Sequence, residues 1–358
     1  MLAVKALSAA RLTQEFIAVG SAVYPWYSSG FGTKFSDPSS GPGFIDGVAF
    51  SPSGNAVAFA HAPLFWPNFA TGNTCLSVYA FSSLGFGSRY SDPSTRPVGR
   101  GNRTAFSPSG NAIAVTSETF TGFSDGITQS GSPYIWAYSW SGSGFGSKFS
   151  NPATLPSGTG AVGLAFTNAG DAIAVGHNSS PYISVYPWSG SGFGSKFSDP
   201  ATVPTGTVNG IAFTPSGNAL AVAHNTSPYV TAYPWSGSGF GTKFSNPSTL
   251  PTSTGTGVAF NPAANALAVS IDGASPYLSV YSWSGSGFGS KFSDPVTLPP
   301  AGGRTPAFNP LGNVIAVGTS ISPYVRVYPW SGSGFGTAFS NPSTLPSRGY
   351  GLAFGTIL

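Results

Sequence analysis

Charge is scarce in this chain. Of 358 residues, 14 are Lys or Arg and 10 are Asp or Glu, 7% in all, where ordinary soluble proteins carry roughly 25%. Long charged helices and coiled coils are thereby excluded, because their exposed faces need dense charge of both signs. The net charge of +4 rests on too few cations for a nucleic-acid surface, which needs many phosphate contacts; no nucleic-acid partner is expected. Cysteine is nearly absent. Cys75 alone permits no intrachain disulfide and leaves the redox compartment unread. No apolar run reaches the ~18 residues of a membrane-spanning helix, so no membrane insertion is expected. The opening MLAVKALSAARL reads as a poor signal peptide, because Lys5 interrupts a short apolar stretch. Asn102, Asn178 and Asn225 sit in Asn-x-Ser/Thr triplets, which arise freely in Ser/Thr-rich sequence.

What is present is Gly (49), Pro (32) and aromatic rings (14%). The rings argue against disorder, since a disordered chain lacks apolar groups large enough to offset chain entropy. Internal repetition then decides the fold. Three landmarks each occur seven times. An Ala-Phe-like pair ends at Phe50, Phe106, Phe166, Phe213, Phe260, Phe308 and Phe354. A second aromatic falls at Trp26, Phe81, Trp140, Trp188, Trp235, Trp283 and Trp330. A third falls at Phe35, Tyr90, Phe149, Phe197, Phe244, Phe292 and Phe339. The spacing is 46–48 residues in the later copies and 55–60 where two insertions occur.

Each copy reads as four short strands. In the unit 209–247, GIAF is the first, and TPSGN supplies the chemistry of a tight turn. Ala219–His224 is the second strand and Tyr229–Trp235 the third; FGTKFSNP, ending in Pro, suits an outer edge. Large and small apolar residues alternate with period two, so both faces should be covered. Seven units of four antiparallel strands predict an all-β, seven-bladed propeller forming a single domain over 1–358. The blades are expected near 43–93, 100–152, 160–200, 207–247, 254–295 and 302–342, with a closing blade from 347–354 plus 15–38. Pairing of the N- and C-terminal segments would then close the ring and remove exposed edges.

The segments VAFSPSGNAVAFA (48–60) and AFSPSGNAIAV (105–115) resemble the first half of WD40-type repeats, and YVTAYPWS (229–236) resembles the strand that there ends in Trp-Asp. The sequence departs from that pattern: Ser141, Ser189, Ser236, Ser284 and Ser331 stand where Asp is usual, and no Gly-His pair precedes the first strand. The buried His–Asp network of that family is therefore not expected. The YPWSGSGFGxKFS repeats are similar to those of propellers in tailed-phage virion and bacterial surface proteins. The resemblance implies a non-enzymatic binding or structural disc: a tail, baseplate or capsid-surface component that is virion-borne or extracellular. Its partners would be other virion or surface proteins, with a host-surface glycan as a further candidate. A carbohydrate-binding adhesin and a cytoplasmic WD40-like scaffold are the alternatives.

Candidate sites are few. The Gly-rich WSGSGFGTK (235–243) fails as a phosphate loop, since Lys243 is followed by Phe244 and no helix. His61, His177 and His224 share one repeat position; they are weak metal candidates without a carboxylate beside them, and no metal or cofactor is expected. Asp37, Asp92, Asp199 and Asp294 alternate with Asn151, Asn246 and Asn341, an exchange that suits a turn acceptor and not a general acid. Lys34, Arg89, Lys148, Lys196, Lys243 and Lys291 recur on the fourth strand, where Lys guards a sheet edge; an acidic partner is the alternative. No catalytic residue is singled out, and an enzyme would require titratable groups gathered at the channel mouth. The expected contact surface lies in the two expanded loops, 61–75 and 117–134. They carry Phe65, Trp66, Phe69, Phe120 and Phe123, with Arg89, Arg96, Arg100 and Arg103 nearby, the residue types that anchor interfaces.

Overall fold

The computed structural model describes residues 14–38, 41–62, 74–121 and 128–357. Among them no helix is long and apolar enough to cross a membrane. The strands form seven antiparallel blade sheets and a short hairpin, Phe120–Thr121 with Thr128–Gln129. The first strands of successive blades touch one another in a closed ring around the axis. Closure is by strand pairing: Leu352–Ile357 lies against Gln14–Val19, with Phe354 opposite Ile17. Within the expected 347–354 segment the closing strand starts only at Leu352, which leaves Tyr350 free of the ladder at the axis.

The three aromatic landmarks converge. Trp235 meets Phe240 of its own outer segment, Phe213 of its own first strand and Phe197 of the preceding blade, all edge-on with centroids 5.1–5.7 Å apart. The same three-ring cage surrounds Trp188 and Trp283. At the ring junction Trp26 takes Phe31, Phe354 and Phe339, so one cage spans both ends of the chain. Edge-to-face pairs contribute about 0.5–1.5 kcal/mol each beyond the area they bury, and the caging ring from the neighbouring blade couples blade to blade. Small and large faces interlock beside it. Ala219, Ala221 and Ala223 receive Leu267, Val269 and Trp283 of the next blade. On the other face, Leu220 and Val222 press on Ala172 and Ala174 of the blade before.

A buried tyrosine two residues before the caged Trp adds a polar tie. Its hydroxyl donates to a threonine carbonyl on the segment entering the blade, as in Tyr186 to Thr154 and Tyr233 to Thr202, both 2.8 Å, and Tyr328 to Thr297, 2.7 Å.

The fourth strand is less regular than expected. It is formed at Gly85–Arg89, Phe145–Lys148 and Gly287–Lys291. It shrinks to Gly30–Phe31 in the closing blade, and to single bridges at Phe193, Phe240 and Phe335 in the rest. The third strand explains the division. Blades with a full outer strand carry Ala80, Ser139 or Ser282 before the caged aromatic; the others carry Pro25, Pro187, Pro234 or Pro329. Proline has no N–H to give to an outer neighbour. The third strand also begins later than expected, at Val230. Tyr229 has φ 67° after a cis Ser227–Pro228 bond and closes the turn, accepting the His224 amide at 3.0 Å.

Trp235→Ala should cost about 3–5 kcal/mol of unfolding free energy, the range for a large core aromatic, read from denaturant midpoints. Pro234→Ser should restore a donor, and hydrogen exchange at residues 241–243 should slow relative to the parent.

Candidate functional site at the axial mouth

The first strand of six blades carries a β-bulge at its axial end. The register shifts lie between Ile45 and Gly47, Gly101 and Arg103, Ala161 and Gly163, Val208 and Gly210, Gly255 and Gly257, and Gly303 and Pro306. A bulge leaves a residue outside the ladder and re-aims its side chain. The residues so released include Asp46, Asn102, Val162, Asn209, Thr256 and Arg304. Each stands four places before the Phe that ends the strand, and Tyr350 holds the same place in the closing blade. All seven line one cavity of about 210 Å³, together with Arg100, Arg103 and Glu118. Gly47 permits the close strand approach that this geometry needs. A Cβ there would lie 2.7 Å from the Asn102 carbonyl oxygen and 2.8 Å from Arg103 Cα.

The polar side chains stitch neighbouring blades. Asn102 Nδ2 donates to the Ala161 carbonyl at 3.0 Å, Asn209 Nδ2 to Gly255 at 2.9 Å, and Thr256 Oγ1 to Gly303 at 2.7 Å. The charges gather on one side. Arg100 Nε donates to Asp46 at 2.8 Å, and its guanidinium lies 3.6 Å from Glu118. Arg103 is held by the Asp46 and Asn102 carbonyls at 2.7 and 3.0 Å. Arg304 pairs with Asp272 at 2.8 Å and packs its guanidinium 4.6 Å from the Tyr350 ring centre. Burial opposes the Arg100 charge, but Asp46 and Glu118 outweigh it and hold the group above its ordinary range. Burial, helped by the neighbouring Arg100 charge and opposed by Asp46, pulls Arg103 below its ordinary range. Burial raises the Glu118 carboxyl above its usual value, Arg100 offsetting part of the effect. The mouth thus holds a carboxylate of raised basicity among fixed guanidiniums.

Sequence reasoning did not find this cluster, although it held a signal. The repeats are nearly alike elsewhere, yet this one offset reads Asp, Asn, Val, Asn, Thr, Arg, Tyr.

The residues singled out from sequence are distributed otherwise. Arg100 and Arg103 stand at the mouth; Arg89 and Arg96 share Asp92 at the outer strand, at 2.5 and 3.3 Å. Phe120 is in the short hairpin, while Phe65, Trp66, Phe69 and Phe123 lie outside the described residues. The fourth-strand cations reach the acceptor of their own turn: Lys34 to Asp37 at 2.5 Å and Lys243 to Asn246 at 2.6 Å, with Lys196–Asp199 and Lys291–Asp294 alike.

Each histidine faces its own third strand. His61 Nε2 lies 2.9 Å from Ser77 Oγ, His177 Nε2 3.1 Å from Ser184 Oγ and His224 Nε2 2.9 Å from Thr231 Oγ1. The Nδ1 of His61 and of His177 meets a backbone carbonyl, at 3.0 and 2.8 Å. A carbonyl only accepts, so Nδ1 carries the hydrogen and Nε2 accepts from the hydroxyl. Among the described residues no group of three or more His, Cys, Asp and Glu is placed to hold a metal ion.

No family model matches the chain, and no curated protein matches it. Solved structures do. A "putative 6-phosphogluconolactonase" from Bacteroides uniformis is 12% identical over 96% of this chain and 99% of its own, with a TM-score of 0.69. A structure described in the same words, from Bacteroides fragilis, is 11% identical over 96% and 98%, TM-score 0.68. A functionally unknown protein from Desulfotomaculum acetoxidans is 14% identical over 95% and 98%, TM-score 0.65.

The likeness is one of fold. It nonetheless corrects two expectations. The assignment to a virion component gives way, since the two Bacteroides structures of the same fold are named as enzymes and neither as a virion protein. The non-enzymatic reading gives way with it, because the condition set for an enzyme, titratable groups gathered at the channel mouth, is met by Asp46, Arg100, Arg103, Glu118 and Arg304.

Burial pulls all three histidines from about 6.5 down to about 4. Between those values the unfolded chain binds protons that the folded chain refuses. Stability should therefore fall as pH drops from 6.5 to 4, by on the order of 3 kcal/mol per histidine, and level off below. Denaturation midpoints across this range, with His177→Ser flattening part of the slope, check it.

Proposed function

We propose that the axial mouth binds a small, oxygen-rich molecule and that the chain hydrolyses cyclic esters of the sugar-lactone class. The observation that carries this reading is the offset at which the repeats diverge: its seven side chains meet in one cavity that also gathers five of the chain's few charges. At about 210 Å³ the cavity is below the ~300–1,000 Å³ of drug-sized sites, which suits a single sugar-sized ring. The names of two structures of the same fold point to the same substrate class.

The chemistry follows from the residues. Glu118, its basicity raised by burial, takes a proton from water as the oxygen adds to the lactone carbonyl. Negative charge grows on the carbonyl oxygen, among guanidiniums already fixed by Asp46 and Asp272, so little reorganisation is needed. The ring C–O bond then breaks, and Glu118 returns the proton to the leaving oxygen. Hydroxyl groups of the sugar find Asn209, Thr256 and Asn102 around the rim.

Hydrolysis of 6-phosphogluconolactone and of gluconolactone should exceed the spontaneous rate and rise with pH as Glu118 ionises. Glu118→Gln should lower kcat by about 10²–10⁴-fold, the usual range for a general base. A folded wild-type chain that leaves both lactones at their spontaneous rates removes the proposal.

A further inference from the structure

Beside the mouth, on the same face, a second cleft of about 400 Å³ is lined by Gly20, Ser21, Gly43, Phe44, Ile45, Ser347 and Arg348. It lies where the closing blade meets the first full blade. Gly20, at φ 57°, turns the chain tightly here; a Cβ on it would sit 2.9 Å from the Arg348 carbonyl oxygen. Phe44 is 54% exposed, beside the buried Ile45.

Arg348 is the unusual member. Its guanidinium lies 4.7 Å from the Phe44 ring centre and 4.4 Å from that of Tyr350. Among the described residues it has neither a carboxylate partner nor a side-chain hydrogen bond. Every other arginine around the axis is tied: Arg100 to Asp46, Arg304 to Asp272, Arg103 to two carbonyls. Tyr350 also bears Arg304 at 4.6 Å, so two guanidiniums crowd one ring. Counted together, four arginines face three carboxylates (Asp46, Glu118 and Asp272); Arg103 and Arg348 both lack a carboxylate, but Arg103 is held by carbonyls and Arg348 only by rings. Ring contacts hold its plane while leaving its N–H edge for an acceptor, the arrangement that recognises carboxylate or phosphate.

We propose that this cleft is a distinct binding site for a small aromatic anion, its ring against Phe44 and Ile45 and its acidic group on Arg348. The proposal is independent of lactone hydrolysis; the two sites have no lining residue in common and meet only where Arg348 stacks on Tyr350.

Phenyl phosphate is a suitable probe, titrated calorimetrically against the whole chain, with inorganic phosphate and benzyl alcohol as the two half-ligands. Phenyl phosphate should bind saturably, at least 10-fold tighter than either half. Arg348→Met should weaken it at least 10-fold, Phe44→Ala should weaken it less, and Lys243→Met at the rim should leave it unchanged. Circular dichroism confirms that each variant is folded. Absence of saturable binding to the wild type, equal affinity for inorganic phosphate, or an unaltered Arg348→Met titration would each overturn the proposal. Lactone hydrolysis without phenyl phosphate binding would sink this inference alone, and the converse would sink the catalytic reading alone.

Discussion

The three-ring cage around each third-strand aromatic is the constraint on which the rest of the molecule depends. A lone blade cannot complete it: Phe197 belongs to one blade, while Phe213, Trp235 and Phe240 belong to the next. Each blade is therefore finished only by its predecessor, and the series ends when Phe339 and Phe354 close on Trp26. Strand pairing of Leu352–Ile357 with Gln14–Val19 fixes the same junction by hydrogen bonds. In a chain with so little charge, packing and backbone pairing carry the fold.

That division of labour leaves the axis available for chemistry. The cages and the alanine faces occupy the body of each blade, where the copies scarcely differ. The bulge lies outside both, at the start of the first strand, so its side chain changes without disturbing the cage. Asp46 and Arg304 stand where other blades carry Val162 or Thr256, on the same backbone geometry. Arg103 occupies the place after the bulge where Gly47, Gly163, Gly210 and Gly257 stand elsewhere. It fills that space with a part-buried guanidinium bonded to the Asp46 carbonyl.

The propeller and its closure were legible because repetition and period-two alternation report directly on strands and their faces. Two details of the blades were present in the sequence but went unread: proline against serine or alanine before the caged aromatic, and the Ser-Pro-Tyr turn that delays the third strand. The site was missed for a physical reason. Composition averages over the whole chain, and 7% charge says nothing about how the ring of first strands, with the end of one second strand, concentrates Asp46, Arg100, Arg103, Glu118 and Arg304 at one point. The histidines, read only as weak metal candidates, recur in register because each faces a hydroxyl of its own third strand, and His61 and His177 spend both ring nitrogens inside their own blades.

The central claim is that scaffold and site are separable, one held by the cages and the other by the bulge. Asp46→Thr, Arg304→Thr and Tyr350→Thr combined, using the residue that Thr256 already supplies at this offset, test it directly when cooperative unfolding and lactone hydrolysis are followed on one sample. The account predicts a single sharp unfolding transition like that of the parent, with hydrolysis reduced to the spontaneous rate. Parental hydrolysis in the triple variant would contradict it.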